Sequence, residues 1–501
     1  MPLIPPAEFA PDMPALSNYT DRALNVIPIT PESYGPLREL EPFSEALDSQ
    51  CRGAVSVQDS DLSTVTFAGT ETKLHSISGS LTTWTDLSKV GDYTTGDDEY
   101  WRFGQYKDMV IATNFVDPVQ VYEIGTSTDF DDLSADAPKA RFVAIVRNFC
   151  VLANTYDATD GNVPVRVWWS KYRDPATWPT IGSATAQEAQ SDFTDLTGDQ
   201  GAITGLVGHL GGADGAVFFA RGVWRFVYQG PPTVFGFYPA EGVRGTRASN
   251  SIVHDGPLVY YLAEDGFAVF DGTASKPIGG LKVDRWFFDR VDHNFLDQVI
   301  GAVDPINKLV FWIFPSMSAS VPGAPDTMLI YNTQIARWAY AEVSAEWLLR
   351  SLSFGVSLDG LDALFPSGLD SIPYSLDSRL FVGGAVQLSA IDTAHKLAFF
   401  QGQTMAAEVA TQSKQIFDGF RSRIMSVRPL VDGGAPTAAV GLRDRLVDGV
   451  TWGSDVALNA RGECPQRADG RYVSALVKIP AGAAWEHMRG VDVDADKSGW
   501  R

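Results

Sequence analysis

"LVYYLAEDGFAVFDG", residues 258–272, sets two short apolar runs, Leu258–Leu262 and Phe267–Phe270, on either side of Asp265-Gly266. Asp-Gly between β-formers marks a hairpin, because both residues tolerate the positive φ of a tight turn. A second Asp-Gly, Asp271-Gly272, ends the pair. The hairpin is rich in aromatics and holds no His, Cys or activated nucleophile, so its residues point to scaffold.

The same scheme recurs along the chain. "STVTFAGTETKLHSIS" (63–78), "YKDMVIATNFVDPVQVYEI" (106–124) and "ARFVAIVRNFCVLANTYD" (140–157, followed by "VPVRVWWS") come before it, as does "GAVFFARGVWRFVYQG" (215–230). "QVIGAVDPINKLVFWIF" (298–314) and "TMLIYNTQIARWAYAEV" (327–343) come after. Each joins two apolar runs through a polar turn, at intervals of roughly 40 residues, a period typical of propeller blades and other arrays. The expected fold is all-β: a β-propeller-like platform over 45–345, with a large sandwich as the alternative and the blade number open. Residues 346–384 lose the pattern and are expected to link or wrap. Runs such as "RIMSVRPLV" and "RYVSALVKIP", separated by Gly-containing turns, make 385–501 a second, sandwich-like β domain. "VDRWFFDRV" (283–291) is the best short helix.

At 501 residues, two domains or one closed β architecture with an appendage are expected. No run reaches the roughly 18 apolar residues of a membrane helix. The opening "MPLIPPAEFAPDMP" lacks the basic and apolar regions of a secretory signal. With residues up to 44 it reads as an extended Pro-rich arm that orders on a neighbour, since Pro disfavours helix. Three cysteines, Cys51, Cys150 and Cys464, are odd in number and far apart, which argues against a disulfide framework.

The formal charge is −22 and uneven: residues 1–140 hold 23 acids against 8 bases (net −15), and 385–501 hold 13 against 14 (net +1). Such a surface repels phosphates, so binding of nucleic acid by charge neutralisation is not expected, although DNA could pass through a ring of copies. Candidate channel or interface acids are Asp97 and Asp98 in "GDDEY" and Asp131 and Asp132 in "DFDDLSADA". Asp492, Asp494 and Asp496 alternate in "VDVDADKSGWR", which on a strand puts three carboxylates on one face. Lys497 stands where a calcium loop needs glycine and no bidentate Glu follows, so a solvated edge is the simplest reading.

No catalytic, cofactor or metal residue is assigned. The six histidines are scattered singly, whereas a zinc site needs several ligands to converge. "GHLGGADGA" (208–216) has no Lys-Ser/Thr after it and is not a phosphate loop. Propellers do host glycosidases built on carboxylate pairs, but the Ser-x-Asp-x-Gly-x-x-Trp turns of sialidases and the Trp-Asp endings of WD repeats are missing. Most of Trp168, Trp169, Trp178, Trp224, Trp286, Trp312 and Trp338 lie in β patterns where core packing is the default.

Several stretches in order resemble the tail nozzle proteins of short-tailed bacteriophages, also described as tail hub or packaged-DNA stabilisation proteins. They are "CRGA" (51–54), "FAGTETKL" (67–74), "WWSKYRDPATW" (168–178), "GVWRFVYQGPPTVFGF" (222–237), "YYLAEDGFAVFDG" (260–272), "PIGGLKVDRWF" (277–287), "DPINKLVFWIFPS" (304–316) and "LIYNTQIARWAY" (329–340), with "VRPLVDGG", "CPQRADGRY" and "IPAGAAW" near the end. The resemblance implies a propeller-like platform with added β domains and a homohexameric ring below the head-to-tail adaptor. It further implies contacts with tail fibres or spikes, residence in the virion tail after assembly in the bacterial cytoplasm, and a channel that retains packaged DNA and later conducts it. It implies no enzyme and no cofactor. The rival reading is a propeller glycosidase or a carbohydrate-binding tail adhesin.

Overall fold

The computed structural model describes residues 3–14, 19–78, 82–211, 213–353, 368, 372, 384–445 and 447–499. The hairpin at 258–272 forms the two middle strands of a four-stranded antiparallel sheet, Leu258–Ala263 and Gly266–Phe270, in register at Tyr261↔Ala268. Gly266 sits at φ +128°, and a Cβ there would lie 2.1 Å from Asp284 Cγ, so the turn needs glycine for both conformation and space. Middle strands of a blade are covered on both faces by neighbouring blades, which explains runs without alternation: Thr64–Gly69 and Leu309–Phe314 are buried at every position.

Six separate four-stranded sheets and the first four strands of a ten-stranded sheet make seven blades among the described residues. Blades 1 to 6 occupy residues 54–86, 102–132, 139–195, 203–241, 253–277 and 300–342. Each runs from an innermost to an outermost strand, the connectivity of a propeller. The runs at 298–314 and 327–343, expected as two units, are the two halves of blade 6. Blade 7 takes three strands, Ala345–Leu352, Val386–Asp392 and Lys396–Thr404, and its outermost strand is Arg38–Ala46 from the other end of the chain. The innermost strands of blades 7 and 1 pack together, and Leu352 N–H donates to Ser56 Oγ at 3.1 Å. The ring is closed.

Two expected boundaries therefore move. Residues 346–352 belong to blade 7, while most of the expected linker lies outside the described residues. Strands 386–404 also belong to blade 7, so the second domain begins near Ala407. Their apolar pattern is that of any other blade strand, and the sequence alone does not say which sheet they join.

The expected extended arm docks on its own chain. Ile4, Phe9, Ala23, Val26 and Tyr34 are fully buried, and Phe9 packs on Tyr340 (4.9 Å) and Trp286 (5.3 Å). Asp12 accepts the N–H groups of Arg285 (2.8 Å) and Trp286 (2.9 Å) in helix Gly280–Phe288, and Lys282 meets Glu8 at 2.6 Å. Buried Arg337 of blade 6 donates to the carbonyls of Ala7, Thr30 and Pro31 and to Tyr34 Oη, with its guanidinium 4.6 Å from the Tyr34 ring.

The C-terminal domain is a sandwich. One sheet has strand order Cys464–Gly470, Ser422–Val431, Met488–Lys497, Ser33–Pro36, Val26–Thr30, with Leu3–Ile4 also on Met488–Lys497. The other continues the sheet of blade 6: Arg337–Glu342 pairs with Ala23–Leu24, followed by Ala407–Ala410, Tyr472–Ile479, Thr437–Arg443 and Thr451–Trp452. One sheet thus spans both domains.

Candidate functional site

In a propeller the connections between blades and the turns between middle strands emerge on one face. Asp97 and Asp98 lie there, both exposed, on the connection from blade 1 to blade 2. Asp97 meets Arg52 at 3.3 Å. Asp131 and Asp132 form the outermost strand of blade 2, on the perimeter. Partial burial raises the Asp132 pKa, but hydrogen bonds from Lys89 Nζ (2.6 Å) and Gln120 Nε2 (2.7 Å) outweigh it and hold the carboxyl below its usual range. Because Lys89 belongs to the connection that carries Asp97 and Asp98, the four acids share one side of the propeller rim. Asp492, Asp494 and Asp496 alternate along Met488–Lys497, on the far domain, opposite Arg428, Ser426 and Arg423 of the adjacent strand.

Two groupings escaped the sequence because their members are remote from one another. Cys51 N–H donates to Glu346 Oε2 (3.0 Å), whose other oxygen lies 2.7 Å from His395 Nδ1. A thiol, a carboxylate and an imidazole invite comparison with nucleophilic catalysis, but the contact to Cys51 is through its backbone. Burial pushes the Cys51 thiol up to about 12, and its Sγ–H points at the Gly53 carbonyl (3.5 Å), so the thiolate is disfavoured. The grouping joins blade 7 to the start of blade 1. Asp432, Glu486 and His487 each offer one ligand atom within 4.8 Å of the others. Asp432 Oδ1 already accepts the N–H groups of Glu486 and His487 at 2.8 Å, which accounts for the grouping as a turn.

The third location is the centre of the propeller. Tyr100, just before the innermost strand of blade 2, donates to Asp297 Oδ2 (2.6 Å), at the start of blade 6. Arg102 donates to Ser249 Oγ (3.0 Å) and to Asn250 Oδ1, both at the start of blade 5, and Asn250 Nδ2 donates to the Asp297 carbonyl (2.6 Å). These five side chains stitch one mouth of the central channel from blade 2 across to blades 5 and 6. Burial pulls the Arg102 pKa down to about 10, and burial with the Asp297 contact raises that of Tyr100. Below the stitch lies a cavity of about 420 Å³ between the innermost strands of blades 2 to 5. An arginine set between Trp101 and Phe103 is the one sequence signal that marks this place.

No protein-family profile matches the chain, and no curated protein matches it. Among solved structures, the propeller domain of Cps50 (Swd1) from Myceliophteria thermophila is similar at TM-score 0.41 and 8% identity, over 72% of this chain and 98% of that one. YCF48 bound to D1 peptide gives 0.39 and 10%, over 73% and 97%, and the computationally designed Ika8 protein 0.36 and 10%, over 79% and 98%. The propeller assignment rests on the strand order above, and nothing about function follows from likenesses this distant.

Proposed function

We propose that this chain is a structural ring subunit of the tail-nozzle kind, six copies of which sit below a head-to-tail adaptor and enclose a channel for DNA. The observation that carries the reading is the sheet shared by blade 6 and the sandwich, reinforced by an N-terminal segment threaded through both. Propeller and sandwich are thereby one rigid wall element, as a ring under load requires. Since the propeller's own channel is stitched at one mouth, the DNA path in this reading lies between copies. The acids on the blade 1–blade 2 rim then either face that path, where they keep phosphate contacts weak, or coat the outside. Tail fibres or spikes and the adaptor ring are the expected partners, and the site of action is the virion tail.

Native mass measurement and electron microscopy of the purified chain, alone and with the adaptor ring, test this. Sixfold rings are the expected result. A monomer under both conditions overturns the reading. So does cleavage of surface polysaccharide by the purified chain that is lost on mutating one carboxylate pair, which would favour the glycosidase instead.

A further inference from the structure

We propose that the central channel of the propeller is a binding site for a small organic anion, with its oxyanion end on Arg102 and its apolar body against the innermost strands of blades 2 to 5.

Arg102 is the first observation. Its guanidinium makes hydrogen bonds through Nη2 to two neutral oxygens, Ser249 Oγ and Asn250 Oδ1, and forms no ion pair among the described residues. Its Nε and Nη1 hydrogens have no acceptor from the described residues, and neither atom is sealed from solvent. The ring of Phe142 lies 5.6 Å from the guanidinium carbon and shields it on one side. A half-buried guanidinium whose hydrogen bonds go to neutral groups, with the Glu99 carboxylate acting on it only through space, favours an anionic partner, because opposite charge offsets the cost of removing it from water. The downward pull of burial on its pKa is the same imbalance seen from the proton's side.

The lining is the second. In a chain of formal charge −22, no Asp or Glu is among the residues that line this cavity. Its polar members at the end away from the stitch are Gln105, His209 and His254, and His254 Nε2 meets the His209 carbonyl at 3.0 Å. Between the two ends the walls are apolar, with Phe142, Val143 and Ile252 among them. A volume of about 420 Å³ falls in the range of small-molecule sites, roughly 300–1,000 Å³. Gly104, Gly205 and Gly208 all line it; at Gly205 and Gly208 a Cβ would strike Ile252 Cδ1 (2.2 Å) and the Ile145 carbonyl (2.9 Å), so glycine lets the innermost strands of blades 3 to 5 pack closely there. The ligand class follows: one carboxylate or phosphate group on an apolar body, entering by the mouth opposite the stitch.

The test uses the full-length chain and phenyl phosphate as the probe, followed by titration calorimetry, with phenol and inorganic phosphate as its separate halves. Saturable binding tighter than about 1 mM is expected, with each half at least about tenfold weaker. Arg102→Gln should weaken phenyl phosphate at least about tenfold, a difference near 1.4 kcal/mol. Because Arg102 also bridges blades, Gly104→Val is the second variant. A Cβ at Gly104 meets Val143 Cγ2 at 3.4 Å and Ile145 Cγ1 at 3.6 Å, ordinary contacts, so valine fills the cavity and leaves the bonds of Arg102 in place. Loss of binding in Gly104→Val at an unchanged melting temperature supports the site. Absence of saturable binding, or equal affinity in parent and Gly104→Val, overturns it. The outcome is independent of ring formation, since one copy holds every residue involved.

Discussion

Blades 1 to 4 and the region around blade 6 are built from the same strands and held together differently. Between blades 1 and 4 most apolar side chains fall into separate clusters, with Phe67, Trp101 and Val110 in one, Phe149, Trp169 and Phe235 in another, and Ile111, Cys150 and Trp178 in a third, although Ala68, Ile77 and Trp84 of blade 1 join the large one. Around blade 6 a single cluster joins Phe267, Trp312 and Trp338 to the N-terminal Phe9 and Tyr34 and to Val427, Val477 and Val491 of the sandwich. Blades that touch only their neighbours behave as a chain of nearly independent units, whereas a core contributed by both ends of the polypeptide is lost or kept as a whole. The comparison locates stability where distant segments meet.

The harshest challenge to that view is truncation. Removing residues 2–46 takes away the outermost strand of blade 7 and the buried anchors Ile4, Phe9 and Tyr34, so we expect no cooperative folding, read as loss of the thermal transition. Removing only residues 2–14 should destabilise strongly, because Arg337 would lose the Ala7 carbonyl and Trp286 and Tyr340 their cover. Normal folding of the 2–14 deletion would break the comparison.

Two tryptophans sharpen it. Trp312→Ala and Trp169→Ala should each cost about 3–5 kcal/mol in denaturant unfolding. Hydrogen exchange should separate them: loss of protection confined to blades 3 and 4 for Trp169, which packs on Phe235 at 5.2 Å, and loss reaching the sandwich for Trp312, which packs on Phe267 at 4.7 Å. The same spread for both would erase the distinction.

Asp284 supplies a pH signature for the blade 6 side. Burial pushes its carboxyl up to about 7, against the pull of the Phe267 N–H at 3.0 Å. The fold therefore prefers the protonated acid, which the unfolded chain gives up near pH 4. Stability from this group is present below that point and is lost as pH rises to about 7, at about 1.4 kcal/mol per pH unit. Asp284→Asn should flatten the unfolding free energy across that window, and an unchanged slope would remove Asp284 as its source.

Smallest of all is the effect of the rim acids on stability. Replacing Asp97, Asp98, Asp131 and Asp132 with Lys breaks exposed pairs worth about 0.2–1 kcal/mol each. Assembled particles carrying these changes should release DNA more slowly at low salt, with relief at high salt. Release matching the parent at every salt concentration would put these acids outside the DNA path.

The middle strands of the blades were legible because burial on both faces writes continuous apolar runs around a turn, as at Leu258–Phe270. The seventh blade was not, because Arg38–Ala46 is charged and alternating and its partner at Lys396–Thr404 lies in a distant part of the chain. The docked N-terminal segment was missed for the same reason: the prolines do favour extended chain, yet nothing local says that Phe9 and Tyr34 meet blade 6. Of the site, the charge of the rim acids was legible and its direction was not, since exposure alone does not say which side faces a neighbour. Arg102 was visible as a letter, and its place at the channel mouth depends on Ser249, Asn250 and Asp297 arriving from two other blades.

Closure of the last blade by the first long strand also fixes an order of events during synthesis. Arg38–Ala46 leaves the ribosome early, and Lys396–Thr404 follows after a delay of roughly 20–70 s at about 5–20 residues per second. Blades 1 to 6 can form meanwhile, each from consecutive strands, while the N-terminal strand waits with neither edge paired. Other nascent copies carry the same waiting strand, so exchange between chains is an available error. What protects the newborn ring is the short 47–53 connection, which tethers the strand to blade 1, next door to the gap that blade 7 will fill. Held at an effective concentration in the millimolar range, a chain's own strand outcompetes those of its siblings.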